Sequence, residues 1–177
     1  MGQKEPGFAI WITGLPASGK STLAACLVEK LAAEGVRAQV LESDAMRALL
    51  APSLGYGAAD RERFYHLLTA VGELLVRNGV NVIFDATAAK RGFREEARRR
   101  FAKFLEVYVR CPLEVCESRD PKHLYEKARQ GIYRDVPGLQ EPYEPPVHPE
   151  VEVDTTRMAP KEAAEAIISA LRSRGLF

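Results

Sequence analysis

The chain of 177 residues is long enough to bury one hydrophobic core and short for two, so a single domain over 1–177 is expected. With 46% apolar and 28% charged residues it is neither disordered nor fibrous, and 25 Lys+Arg against 24 Asp+Glu, a net charge of +1, exclude nucleic-acid binding through bulk positive charge. No apolar run approaches the ~20 residues of a membrane span, and the opening MGQKEPGFAIWITG lacks signal-peptide anatomy. Three cysteines, Cys26, Cys111 and Cys116, have no metal-like spacing and read as reduced thiols. The expectation is a cytoplasmic protein with neither membrane nor nucleic acid as partner.

Apolar runs alternate with helical patterns along the chain. Phe8–Thr13 reads as a strand, Ser21–Glu34 as a helix stopped by Gly35, and Val36–Leu41 as a second strand. A long amphipathic helix is predicted over Asp60–Asn78, ending at Gly79, then a third strand over Val80–Phe84 with almost no polar residue, as a strand buried on both faces requires. Arg91–Lys103 reads as a charged helix and Phe104–Val109 as a fourth strand; Leu113–Ser118 and His123–Gln130 read as short helices. Val151–Val153 is a minimal fifth strand, and Pro160–Arg174 a closing helix with Pro at its start. This order implies a three-layer α/β fold, a five-stranded parallel sheet with helices on both faces. Gly131–Pro149 breaks the rhythm with five prolines and no helical period, and reads either as part of a lid or binding loop or as a surface connector.

Gly14-Leu15-Pro16-Ala17-Ser18-Gly19-Lys20-Ser21 matches G-x-x-x-x-G-K-[ST] at every fixed position, between a predicted strand and a predicted helix. In that setting backbone N–H groups and the helix N-terminus cradle phosphate, so Gly14, Ala17, Ser18, Gly19, Lys20, Ser21 and Thr22 are assigned to ATP. Lys20 would bridge the β- and γ-phosphates, and Ser21 would ligate Mg²⁺. Ligands of open parallel sheets bind beyond the carboxyl ends of the strands, where Glu42-Ser43-Asp44 and Asp85-Ala86-Thr87 place carboxylates. One could assist Mg²⁺ through water, and another could take a proton from an acceptor hydroxyl. An Asp after a strand is also a common helix cap, and for Asp44, ahead of the helical stretch Ala45–Leu50, both readings stand. Arg47 and Arg61 fall where a lid or acceptor pocket would form and suit phosphate or sulfate, although an exposed Arg also reads as a solvated surface residue, as Arg98-Arg99-Arg100 does.

The chain resembles the adenylylsulfate kinase (APS kinase) family of P-loop NTPases from Ile10 to Thr155. The resemblance is carried by IWITGLPASGKSTLA (10–24), LESDAMR (41–47), DRER (60–63), FLEVYVRCPLEVCESRDPKHLYEKARQG (104–131) and GLQEPYEPPVHPEVEVDT (138–155). It implies transfer of the γ-phosphoryl group of MgATP to the 3′-hydroxyl of adenosine 5′-phosphosulfate (APS), making PAPS for sulfate assimilation, beneath a lid at about 119–149. By the same resemblance Asp44 is the catalytic carboxylate beside Lys20. Arg47 and Arg61 hold the phosphosulfate end, Tyr56 stacks on the acceptor adenine, Arg119 neighbours the ATP adenine, and Lys127 is the lid cation nearest phosphate. Asp120, Lys122 and Arg129 lie in or beside that lid, and a homodimer is expected because dimers are common in the family.

Departures concentrate on the acceptor side. The family's D-G-D-N reads Glu42-Ser43-Asp44-Ala45, its acceptor-contacting Asn reads Phe64, and two arginine positions read His66 and Leu67. Phe64 could stack on a nucleobase instead. The serine that some members phosphorylate reads Ala88, leaving direct in-line transfer. Asp85-Ala86-Thr87 is similar to other small P-loop kinases, so a kinase for another hydroxylated acceptor is the second reading. A nucleotide-binding module without catalysis is the third, opposed by the intact Lys20, Ser21 and Asp44.

Overall fold

The apolar runs form five short strands in the computed structural model, which describes residues 5–177; Met1–Lys4, part of the opening stretch read above, lie outside the described residues. The strands are β1 (Ala9–Thr13), β2 (Ala38–Glu42), β3 (Asn81–Asp85), β4 (Phe104–Arg110) and β5 (Val151–Asp154). They pair in the order β2-β3-β1-β4-β5, with all neighbours parallel. Alternate residues of β1 serve opposite faces. Ile10 and Ile12 pack with α1 (Lys20–Ala33) and α7 (Pro160–Ser173) through Leu27, Leu31, Ile167 and Ile168. Ala9 and Trp11 pack with α3 (Ala58–Arg77) and α4 (Arg91–Arg100) through Phe64, Leu68 and Ala97. Trp11 stacks on Phe84 at 4.6 Å between centroids, and its indole N–H donates to the Ala86 carbonyl at 3.1 Å, so no polar atom is stranded.

Three elements stand over the carboxyl ends of the strands: α2 (Ser43–Leu50), α5 (Leu113–Arg119) and α6 (Leu124–Arg129). The last two close a small core of Cys111, Cys116, Tyr125, Ala128 and Val136. The Asp120 carboxylate accepts from the backbone N–H groups of Leu124, Tyr125 and Glu126 at 2.7–3.0 Å and so fixes the start of α6.

Several expectations need correction. The cap of α2 is Glu42, whose Oε2 accepts from the Ala45 N–H at 2.7 Å; Asp44 lies inside the first turn with its carboxylate free for other work. The helix expected to reach Lys103 stops at Arg100, because Phe101 turns extended (φ −109°, ψ 124°) to bury its ring beside Phe104. Arg98 is not merely solvated: it pairs with Glu150 at 2.6 and 2.8 Å and with Glu106 at 3.2 Å. The segment 131–149 has no helix or strand beyond an isolated bridge between Pro137 and Glu141. It is pinned at both ends. Arg61 reaches the Asp135 carbonyl and pairs with Glu141 at 3.1 Å, and the fully buried Arg94 pairs with Glu106 at 2.8 Å and donates to the Glu144 carbonyl at 2.6 Å.

Candidate active site

The strand–loop–helix at β1 and α1 builds the phosphate cradle at the point where strand order reverses. A Cβ on Gly14 would lie 2.5 Å from the Val109 carbonyl, so only glycine lets the loop pass β4. Gly19 caps α1 with φ +104°, and Ala17 holds φ 60°, a left-handed conformation that L-residues adopt at a cost of ~1–3 kcal/mol. Such alternation turns successive N–H groups inward. The Ser18 hydroxyl is the only buried side-chain N or O atom without a partner among the described residues. An orphaned donor in a cradle of N–H groups is what an absent anion would explain. Lys20 is buried, its ammonium donating to the Leu15 carbonyl at 2.9 Å. Burial lowers its pKa, and the charge of Asp85 works the other way. Ser21 and Thr22 are exposed at the first turn of α1.

These residues line a cleft of about 680 Å³ that also receives Arg119 and Asp85. Arg119 donates to the Thr155 side chain at 3.1 Å and to its carbonyl at 3.0 Å, while the Thr155 hydroxyl donates to the Ser18 carbonyl at 2.8 Å. Thr155, with Met158 and Pro160 on the same wall, was not singled out from sequence. Its signal was its position just beyond the carboxyl end of β5.

A second cavity, of about 580 Å³, is lined by Asp44, Arg47, Tyr56, Arg61, Phe64 and the segment from Ile132 to Pro137. Asp44 is bound by Lys122 at 2.7 Å, and that hydrogen bond raises the pKa of the lysine ammonium. Lys122 lines both cavities. Lys127, expected nearest phosphate, lines neither; its ammonium sits 5.5 Å from the Tyr133 ring centroid. Lys122 stands in the turn ahead of α6 and Lys127 within that helix. Arg129 pairs with Glu117 at 2.5 Å.

Phe64 is buried, and the Arg47 guanidinium covers its ring at 4.0 Å, so that face is not open to a nucleobase. His66 and Leu67 face away from both cavities, along a surface groove where His66 meets Glu96 at 3.2 Å. Ala88 is fully buried, its N–H donating to the Tyr65 hydroxyl at 2.9 Å. The cavities share Pro16, Ser43, Asp44, Thr87, Lys122 and Leu124, and so form two halves of one cleft. Helix α6 is tied to the phosphate loop through the Tyr125 hydroxyl, which donates to the Pro16 carbonyl at 2.9 Å.

Comparison with known proteins agrees with this geometry. The family model described as adenylylsulphate kinase matches residues 6–154. An adenylyl-sulfate kinase of Synechococcus sp. (strain JA-3-3Ab) is 41% identical over 169 residues, covering 96% of each chain. A probable adenylyl-sulfate kinase of Pyrococcus abyssi is 42% identical, covering 96% of this chain and 97% of its own. Among solved structures, an APS kinase from Mycobacterium tuberculosis in complex with AMPPNP and APS superposes with a TM-score of 0.90 at 36% identity, over 94% of this chain and 98% of its own.

Proposed function

The chain belongs to the adenylylsulphate kinase family, and from that premise we propose which residues carry its reaction. It is an ATP-dependent kinase that transfers the γ-phosphoryl group of ATP to the 3′-hydroxyl of adenosine 5′-phosphosulfate. The 3′ oxygen forms a bond to γ-phosphorus as the bond from γ-phosphorus to the ADP oxygen breaks, and the hydroxyl proton is released.

The observation that carries the assignment of roles is the meeting of the two cavities at Asp44 and Lys122. ATP phosphates rest on Gly14, Ala17, Ser18 and Gly19, with Lys20 turning from the Leu15 carbonyl to the β- and γ-phosphates. Thr22 and Arg119 border the nucleotide. The acceptor lies in the second cavity, its anionic end toward Arg47 and Arg61 and its adenine against Tyr56. Asp44 orients the 3′-hydroxyl and takes its proton, which requires the hydroxyl to displace or share Lys122. Freed from Asp44, Lys122 offsets charge on the phosphoryl group in flight. Closure of the lid excludes water, the competing acceptor.

Ser21, Asp85 and Glu42 present oxygen donors to the nucleotide cavity, a set suited to Mg²⁺. No cluster of three or more acidic, His or Cys side chains that could hold a metal occurs among the described residues. Glu42 is engaged with the Ala45 N–H, so Asp85 is the carboxylate placed to help Ser21. When bound, the ion would supply charge neutralisation at the β- and γ-phosphates.

No helix among the described residues is long and apolar enough to cross a membrane. Three free cysteines suit a reducing cytoplasm. A homodimer is our proposal for the assembly, supported by Leu67 and Leu74 exposed two turns apart on α3 and tested by sedimentation. The deciding assay follows ADP release with MgATP and APS, with adenosine 5′-monophosphate, shikimate and gluconate as competing acceptors. APS-dependent turnover with PAPS identified by mass spectrometry is expected; turnover with another acceptor in its place would overturn the reading.

A further inference from the structure

Arg47 is a buried cation with no carboxylate to balance it. It is 8% exposed and forms no ion pair among the described residues. Its single side-chain hydrogen bond among them is to the Gly55 carbonyl at 2.9 Å. Asp44, in the same cavity, pairs with Lys122, Glu141 pairs with Arg61, and the Asp60 carboxylate accepts from the Gly55 N–H. Instead the guanidinium lies between two rings, its central carbon 4.0 Å from the Phe64 centroid and 4.7 Å from that of Tyr56. The two rings differ. Phe64 is 1% exposed on α3, whereas Tyr56 is 54% exposed on the loop ahead of it. One is a fixed floor and the other an outer cover.

We propose that Phe64 is a positioning residue that holds the Arg47 fork edge-on to the acceptor cavity, so that this cation recognises the anionic end of the acceptor. A ring face attracts a guanidinium without consuming its N–H donors, whereas a carboxylate partner would occupy them. The slot therefore fixes the plane of Arg47 and leaves its free donors for an anion, phosphate or sulfate, which supplies the missing countercharge. An amide at position 64 could donate one hydrogen bond to an acceptor but would offer the guanidinium no π face. The aromatic residue moves recognition from position 64 onto Arg47. With the acceptor adenine against the outer face of Tyr56, the layers run base, Tyr56, Arg47, Phe64, and loss of the floor loosens the whole stack.

The proposal rests on the acceptor reading given above, and two measurements keep the two separable. The first uses the ligand-free protein and reads the Nε–H resonance of Arg47 by ¹⁵N NMR. The wild type and Phe64→Tyr should show the upfield ring-current shift of a group stacked on an aromatic face. Phe64→Leu and Phe64→Met, which keep apolar bulk, should lose most of it. An Arg47 signal unchanged in both aliphatic variants overturns the slot, whatever the substrate proves to be. The second is steady-state kinetics. Phe64→Leu should raise KM for APS about tenfold while kcat and KM for ATP stay within about twofold, and Phe64→Tyr should restore the wild-type KM. A parallel rise in both KM values, or an unchanged KM for APS, would show a merely structural phenylalanine and sink the proposal. A wild type that shows the ring-current shift but does not turn over APS would instead overturn the acceptor reading and leave the slot standing.

Discussion

The two halves of the cleft are built on different principles. The nucleotide half is backbone: a loop shaped by Gly14, Ala17 and Gly19, with Lys20 supporting its own loop through the Leu15 carbonyl. The acceptor half is side chain on side chain: Arg47 between two rings, Arg61 against Glu141, Asp44 against Lys122, drawn from α2, α3, the lid and the segment after it. A backbone cradle tolerates few changes, because its geometry is set by φ and ψ. A cavity assembled from side chains can be rebuilt one residue at a time. Of the departures named above, Phe64 lies in the acceptor half, Glu42 borders the nucleotide half and Ala88 is buried outside both, while the phosphate loop is intact.

The comparison is tested most severely at the join. Asp44→Asn should cut kcat by about 10²–10⁴-fold with KM for ATP nearly unchanged, since it removes the proton acceptor and leaves the loop alone. A kcat within twofold of wild type would remove Asp44 from the chemistry. Lys20→Ala should cost about 10²–10³-fold in kcat and also weaken ATP, measured by calorimetry, because one side chain serves both nucleotide and transition state. On the acceptor side, Arg61→Ala should raise KM for APS at least tenfold and leave ATP affinity alone. It also strands Glu141, which is 23% exposed, at a cost of about 1–3 kcal/mol in urea unfolding. Lys122→Ala should lower kcat by about tenfold, whereas Lys127→Ala should change it less than twofold; the reverse order would restore the lid lysine favoured by sequence.

Two smaller effects follow from charge. Burial depresses the Lys20 pKa in the free protein, and bound phosphate must raise it. ATP binding should therefore take up protons above the depressed value, and affinity should fall as pH rises through it. Calorimetry in buffers of different ionisation enthalpy reads this directly, and Lys20→Ala should abolish it. Burial likewise pushes the Cys116 thiol up to about 12, so at pH 8 an alkylating reagent should modify half-buried Cys26 well before Cys116.

Legibility in the sequence followed the same division. The succession of strands and helices along the chain and the phosphate loop are local patterns, and β1, α1 and Gly14–Ser21 were readable to within a residue or two. Asp44, Arg47, Tyr56 and Arg61 lie within 18 residues of chain and line one cavity. What was hidden depends on distant partners. Arg98 looked solvated because Glu150 lies 52 residues away. Glu42 capped α2 in place of Asp44 because the helix began at Ser43, two residues ahead of the expected Ala45, leaving Asp44 to meet a lysine 78 residues on. Lys127 was named from the resemblance, and helices of seven and six residues carry too little periodicity to set it against Lys122, which stands in the turn between them.

The hydrogen bond from Tyr125 to the Pro16 carbonyl gives the lid a foothold on the loop that receives ATP. Any rearrangement of Leu15–Ser18 on nucleotide binding is felt by the helix whose neighbour Lys122 grips Asp44. Occupancy of the loop and posture of the lid then belong to one equilibrium. By thermodynamic reciprocity, whatever factor ATP contributes to acceptor affinity, the acceptor returns to ATP, whichever of them arrives first.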